Sequence, residues 1–175
     1  MPKIIGESLA SHRELTRARL FEALGSLMGE QSFESITMSQ IAERAGVGRT
    51  AVYNHFADKE VLLLAYMREV TSEFARVLKQ RLEAEPDPLM RLRIYIRSHL
   101  QMIGRYHVKA GMGLRRQMSG QGASHLHDHA GLVGEVLIGI LDEAMECGLI
   151  VEQNTLGAVH LIHATLQGQR LPKDP

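Results

Sequence analysis

The sequence predicts an all-α protein, in which a three-helix N-terminal domain, residues 1–58, is joined to a larger helical domain, residues 59–175. Leu, Ala, Glu, Arg and Gln, which favour helices, are abundant, and only five of the 175 residues are proline. Apolar residues recur at spacings of three and four, which is the period of one helix face. Capping residues and glycines divide that pattern into separate helices.

The N-terminal domain carries the signals of three successive helices. The first is predicted over residues 11–29, which contain one apolar stripe. Thr37, with Gln40 three residues later, satisfies the capping-box pattern and begins the second helix. Gly46 stands where a left-handed cap would end that helix, and residues 49–55 form a third, two-turn helix. Helix, glycine turn and helix within about twenty residues is the spacing of a helix-turn-helix.

The second domain is predicted to contain only helices. Asp58 is a suitable N-cap for a long fourth helix that ends near residue 83, because the proline-containing segment 85–88 interrupts the pattern. Further helices are predicted over residues 89–106, 112–118, 123–147 and 155–167. Gly148 is expected to stop the longest of these.

Composition narrows the class of protein without identifying it. The formal net charge is zero and the pI is about 7.1, so any nucleic-acid contact has to rest on a motif and on local charge. A single cysteine, Cys147, cannot form an internal disulfide, and together with the absence of a secretory leader pattern this favours a cytoplasmic protein. The longest apolar stretch, residues 61–67, is far short of the roughly 20 residues that a membrane span requires.

The segment from residue 36 to residue 60 carries the most specific pattern in the chain. Its key residues are Ile41-Ala42, Ala45-Gly46-Val47, Tyr53, His55-Phe56 and Asp58-Lys59-Glu60. With these residues the segment closely resembles the DNA-binding head of the TetR family of bacterial transcriptional regulators. The resemblance implies a repressor that binds a double-stranded DNA operator and that an unidentified small-molecule effector releases. Gly48 departs from the polar residue that the family more often has at the start of the third helix.

Two groups of side chains are candidates for contacts with DNA. Arg49 can donate a bidentate hydrogen bond to guanine, and three shorter side chains suit a base edge or a thymine methyl: Thr50, Ala51 and Asn54. Other side chains have donors for phosphates, and the resemblance assigns that role to Thr37, Ser39, Tyr53, His55 and Lys59. Residues 1–60 contain seven Lys or Arg against eight Asp or Glu. Strong attraction to phosphates therefore requires cations to share one face, the candidates being Arg13, Arg17, Arg44, Arg49 and Lys59.

The second domain is predicted to hold the effector. Methionine adapts to varied shapes, while tyrosine and histidine supply a few orienting polar groups. The candidate lining is Tyr66, Phe74, Tyr95, His99, Met102, Tyr106 and Met118. Each of these residues is also an ordinary core residue, so the alternative is a DNA-binding protein of the same fold without an inducer.

Nine histidines raise the alternative of a metal-responsive regulator. His125 and His129, four residues apart, can share a helix face, and His163 can join them from another helix, which would suit zinc. The histidines do not follow the spacing of an established metal-binding motif, so the sequence predicts neither a metal site nor a cofactor. Nothing in it indicates a catalytic motif, so an enzyme is not expected.

A homodimer is expected because TetR-like heads bind a pseudo-palindrome as a pair. The helices predicted over residues 123–147 and 155–167 have broad apolar faces and are the expected interface. Their apolar residues are Leu132, Val133, Val136, Leu137, Ile140, Leu141, Met145, Leu156, Val159, Leu161, Ile162 and Leu166.

Overall fold

A computed structural model of the chain describes residues 3–106 and 120–167, with side chains for residues 11–104 and 133–166. Over these ranges the chain forms α-helices, one short 3-10 helix at Phe33–Ser35 and no strand, which confirms the predicted all-α class. The helices are α1 (Lys3–Glu30), α2 (Met38–Ala45), α3 (Arg49–His55), α4 (Lys59–Glu83), α5 (Pro88–Tyr106), α6 (Gly120–Glu146) and α7 (Thr155–Gln167). The helix predicted over residues 112–118 lies outside the described residues.

The predicted helix ends agree with the structure to within one residue, except at the N-termini of α1 and of α6, which begins at Gly120 instead of residue 123. Helix α1 begins at Lys3 instead of residue 11, because residues 3–10 contain no proline and the single Gly6 costs only about 1 kcal/mol in a helix. Helix α5 begins one residue early, with Pro88 in its first turn, where its missing N–H is no loss. The carboxylate of Asp87 caps this end and accepts a hydrogen bond of 2.9 Å from the N–H of Leu89.

The chain divides into two compact units, Met1–Tyr66 and Met67–Pro175. The first, called the head below, contains α1, α2, α3 and the first residues of α4. Its core is made by fully buried side chains from all four helices, namely Leu20, Leu24, Ile41, Val52, Leu62 and Leu63. A small core built from four helices in this way fixes the orientation of the short helix α3.

The second unit, called the body below, contains the rest of α4 and helices α5, α6 and α7. Its core is an apolar cluster around Tyr95, which has no exposed surface, and includes Phe74, Leu78, Leu137, Ile140 and Val159. Polar bonds join neighbouring helices at the edge of this core. Arg91 of α5 pairs with Glu143 of α6, and the hydroxyl of Thr155 donates to the carboxylate of Asp142 at 2.7 Å. Among the described residues, no helix has the length and apolar character needed to cross a membrane.

Candidate functional site

The turn between α2 and α3 is held by backbone hydrogen bonds that depend on Gly46. This residue has φ 65° and ψ 35°, a left-handed conformation that strains residues with a Cβ atom. Its N–H donates to the carbonyl of Glu43 at 3.1 Å, and the N–H of Val47 donates to the carbonyl of Ala42 at 3.0 Å. These two bonds form a Schellman motif, which ends α2 and turns the chain into α3.

The opposite end of α2 is fixed by the predicted capping box. The N–H of Gln40 donates to the hydroxyl oxygen of Thr37 at 3.2 Å, and the N–H of Thr37 donates to the side-chain oxygen of Gln40 at 2.8 Å. Thr37 and Ser39 are both exposed at this N-terminus. The N-terminus of a helix attracts anions, so the position is compatible with a phosphate contact.

One face of α3 is buried and the opposite face is exposed. Val52 is buried in the head core, and Phe56, directly after the helix, packs against Phe21 with ring centroids 5.9 Å apart. The exposed face carries Arg49, Thr50, Tyr53 and Asn54. The last three follow Arg49 by one, four and five positions, which places all four side by side on the helix. Tyr53 is 46% exposed although it is aromatic. The arrangement presents a guanidinium, a hydroxyl, a phenol and an amide on a rigidly held helix.

His55 is the last residue of α3 and is partly buried. Burial lowers the pKa of His55, and the positive charges of Arg13 and Arg17 on α1 lower it further. The imidazole is therefore neutral at neutral pH, and it can donate one N–H to a phosphate oxygen without adding a positive charge.

Lys59 has contacts that its sequence position did not indicate. Its ammonium group donates to three backbone carbonyls of the segment before α2, at 3.1 Å to Phe33, 2.8 Å to Glu34 and 3.0 Å to Ile36. It also lies 4.9 Å from the centre of the Phe33 ring. An ammonium has three hydrogens, so these bonds use all of its donors. A phosphate contact by Lys59 stays a prediction, and it would have to replace one of these bonds.

Arg44 is bound on the side of the head by α1. Its guanidinium forms a bidentate pair with Glu30 at 2.7 and 2.8 Å and donates to the hydroxyl of Ser26 at 2.6 Å. This hydrogen bonding lowers the pKa of the Glu30 carboxyl. The geometry joins α2 to α1 and leaves Arg44 engaged within the protein.

In the body, a cluster of rings places three polar side chains inside the apolar core. The hydroxyl oxygen of Tyr95 lies 2.7 Å from Nε2 of His163 and 3.3 Å from the carbonyl oxygen of Val133. The His99 ring stacks on those of Tyr95 and His163, with centroid distances of 5.9 and 5.6 Å, and Phe74 meets it edge-on. Nδ1 of His99 is buried without a hydrogen-bond partner.

This environment favours uncharged side chains throughout the ring cluster of Tyr95, His99 and His163. Burial, with a smaller contribution from His163, lowers the pKa of His99 to about 4. Burial also lowers the pKa of His163 and raises that of Tyr95. A cavity next to the cluster, of about 90 Å³, is lined by Glu73, Phe74, Val77, Arg81, Ser98, Gln101 and Met102.

The remaining effector and metal candidates lie in different places. Tyr66 is buried in the head, where its ring meets that of Phe21 edge-on at 5.9 Å. Tyr106 is the last residue of α5 and Met118 lies outside the described residues. His125 and His129 lie in α6 without described side chains, so the metal-responsive alternative stays untested. Within the described residues, no three His, Cys, Asp or Glu side chains group as a metal site.

Residues 20–66, which contain the capping box, the Gly46 turn and α3, match the family model of the bacterial regulatory proteins of the tetR family. Over this N-terminal segment the chain is similar to the TetR family. The chain is 33% identical over 97 residues to the HTH-type transcriptional regulator BetI of Burkholderia ambifaria, a match covering 55% of the chain and 47% of that protein. It is 37% identical over 73 residues to BetI of Klebsiella pneumoniae, a match covering 42% of the chain and 37% of that BetI. The chain thus spans about half the length of the curated relatives it matches.

Solved structures of regulators share the fold of this chain. The fatty acid degradation regulator FadR from Bacillus halodurans superposes with a TM-score of 0.76 at 21% identity, covering 87% of the chain and 80% of FadR. FadR from Bacillus subtilis, in complex with stearoyl-CoA, superposes with a TM-score of 0.74 at 22% identity, covering 86% of the chain and 82% of that FadR. AibR, in complex with isovaleryl coenzyme A and operator DNA, superposes with a TM-score of 0.75 at 18% identity, covering 87% of the chain and 84% of AibR. At these identities the similarity is one of fold.

Proposed function

We propose that this protein is a transcription regulator that binds operator DNA as a homodimer and that a small-molecule effector controls. The observation that carries the proposal is the exposed face of α3, held in place by the Gly46 turn and by the burial of Val52 and Phe56. A two-turn helix presented in this way fits the major groove of B-DNA. The chain is similar there to a family of regulatory proteins.

Sequence readout is assigned to the exposed α3 side chains. Arg49 is at the N-terminus of α3, where recognition helices contact base edges, and its guanidinium matches the two acceptors of guanine. Thr50 and Asn54 follow on the same face. Tyr53, together with Thr37 and Ser39 at the start of α2, is assigned to phosphates, which position the head without specifying sequence.

The dimer is assigned to α6 and α7. Several apolar side chains of the predicted interface, among them Val133, Leu137, Ile140, Leu141, Val159 and Leu166, pack inside the body instead of facing outward. Others remain at the surface: on α7, Leu161 is 72% and Leu156 59% exposed, and on α6 Val136 is 36% exposed. Large exposed apolar side chains on neighbouring helices are typical of a protein–protein interface.

The effector is assigned to the body, with the ring cluster of Tyr95, His99 and His163 as its polar end. Nδ1 of His99 has no hydrogen-bond partner, and burial keeps the imidazoles of His99 and His163 uncharged. Placing such polar groups in an apolar core costs stability, and this arrangement is typical of ligand-binding sites. Two regulators of similar fold bind acyl-CoA molecules, which are therefore the first ligands to test. An effector releases the operator only if it binds one arrangement of the dimer more tightly than the other.

Selection of bound duplexes from a random DNA pool tests the proposal, with Arg49→Ala and Tyr53→Ala run in parallel. We expect an inverted-repeat sequence, bound with lower affinity by both variants, and a change in that affinity on addition of stearoyl-CoA or isovaleryl-CoA. If the folded protein enriches no sequence, the proposal is wrong. If it enriches a sequence and neither acyl-CoA changes the affinity, only the acyl-CoA class of effector is excluded.

A further inference from the structure

The cavity between α4 and α5 combines polar side chains that bind one another with apolar ones. The polar groups include Arg81, Ser98 and Gln101, and the apolar ones are Phe74, Val77 and Met102. Phe74 also meets the His99 ring edge-on, so the cavity and the ring cluster share a wall. The cavity volume of about 90 Å³ is that of about three water molecules, so a group of about three or four non-hydrogen atoms can enter.

The guanidinium of Arg81 on α4 is fixed at this cavity by two side chains of α5. Its Nη1 donates to the hydroxyl oxygen of Ser98 at 2.9 Å and to the side-chain oxygen of Gln101 at 3.1 Å. A guanidinium has five N–H donors, so these bonds leave the three on Nε and Nη2. Both partners are neutral, and none of the acidic side chains that the structure describes forms an ion pair with Arg81. Arg81 is therefore held in position while its positive charge is retained.

The two partners of Arg81 contribute acceptor atoms to these bonds and keep their own donors. The hydroxyl hydrogen of Ser98 and the NH2 group of Gln101 are not used in the bonds with Arg81. Ser98 is only 4% exposed, so its hydroxyl belongs to the wall of the cavity. Glu73, an acidic residue of the same wall, has both carboxylate oxygens bound by Arg76, at 2.9 and 2.7 Å. The cavity thus offers donors and positive charge beside an apolar surface.

We propose that Arg81, Ser98 and Gln101 form an oxyanion-binding site, whose ligand is a carboxylate or a phosphate monoester joined to an apolar chain. Nε and Nη2 form one edge of the guanidinium, and such an edge binds two oxygens of either group through parallel hydrogen bonds. The apolar chain packs against Phe74 and Met102. The inference deepens the proposed function and rests on it in one respect, which is that the ligand of this site is the effector.

Isothermal titration calorimetry on the whole protein, without DNA, tests the site. The probes are hexanoate, hexyl phosphate and the uncharged 1-hexanol, which have the same number of carbon atoms and differ in the end group. The variants are Arg81→Met, which keeps an apolar stem and removes the donors, and Arg93→Met as the matched control. Arg93 is exposed on α5 and is not part of the cavity wall.

We expect one of the two anions to bind the unmodified protein about tenfold to a hundredfold more tightly than 1-hexanol, because hydrogen bonds with charged groups contribute about that much. The anion that binds more tightly identifies the group that the site takes. Arg81→Met should abolish this preference and leave the affinity for 1-hexanol nearly unchanged, because the apolar wall remains. Arg93→Met should keep the preference, and Ser98→Ala should reduce it by a smaller factor than Arg81→Met.

Fluorescence anisotropy with the duplex selected from the random pool measures the connection to the effector. The preferred anion, at a saturating concentration, should change the Kd of the unmodified protein for this duplex. It should leave the Kd of Arg81→Met unchanged, because this variant lacks the group that holds the anion.

Four results overturn the inference, and each differs from a failure of DNA binding. Equal affinities for the three probes, or no binding of any, reject the oxyanion site. A preference that Arg81→Met and Arg93→Met weaken equally comes from the overall charge of the protein. Selective binding that leaves the Kd for the duplex unchanged rejects the site as part of the effector site. If Arg81→Met does not fold by circular dichroism, an unchanged preference in Ser98→Ala rejects the site instead.

Discussion

Replacing His99 with phenylalanine should make the body less sensitive to acid. His99 lies between the rings of Phe74, Tyr95 and His163, and phenylalanine keeps a ring there without a group that binds protons. At neutral pH the variant should be at least as stable as the unmodified protein. The reason is that Nδ1 of His99 is buried without a partner, and an unsatisfied buried polar group costs about 1 to 3 kcal/mol.

The magnitude of the effect follows from the pKa of His99. Burial lowers it from 6.5 to about 4, so the unfolded chain binds a proton at pH values where the folded protein does not. Stability is then lost as the pH falls below 6.5, and the loss levels off below about 4, where the folded form also becomes protonated. The complete loss from this residue is about 3 kcal/mol, since a tenfold change in a binding constant is about 1.4 kcal/mol.

Urea unfolding, followed by circular dichroism at one protein concentration between pH 7 and pH 4, measures the effect. The free energy of unfolding of His99→Phe should fall less over this range than that of the unmodified protein, by up to about 3 kcal/mol. The exposed His160, replaced by Gln, is the control and should change the pH dependence much less than His99→Phe, through its secondary effect on the pKa of His163. If His99→Phe and the unmodified protein lose stability in parallel, His99 is not the residue that resists protonation, and the reasoning fails.

Three further predictions concern the head. Arg49→Ala should weaken binding to the selected operator by about 1 to 3 kcal/mol and leave binding to a duplex with the same bases in scrambled order nearly unaffected, as measured by fluorescence anisotropy. Gly46→Ala should destabilise the head by about 1 to 2 kcal/mol in thermal unfolding, because alanine is strained at φ 65°. Lys59→Met should lower the free energy of unfolding by about 2 kcal/mol, since three carbonyls lose a charged donor. An unchanged urea midpoint for Lys59→Met would mean that water replaces the ammonium at no cost.

The parts of the fold that were predictable depend on neighbours in sequence. The capping box of Thr37 and Gln40 and the left-handed Gly46 are local signals, because each involves residues within four positions. The three bonds of Lys59 were not predictable, since its partners are backbone carbonyls 23 to 26 residues away, which any sequence supplies. For the same reason the pairing of Tyr95 with His163, 68 residues apart, required the folded structure.

The head also shows why the number of charges in a domain does not determine its affinity for DNA. Arg44 and Lys59 belong to the motif that resembles a DNA-binding head, yet the structure uses both to hold that head together. Arg13 and Arg17, which the sequence also offers as candidate cations, lie outside the motif on α1. Because an ion pair within the protein and a contact with phosphate need the same side chain, each cation that stabilises the head is removed from the DNA surface. The salt dependence of binding should therefore be insensitive to substitution of Arg44.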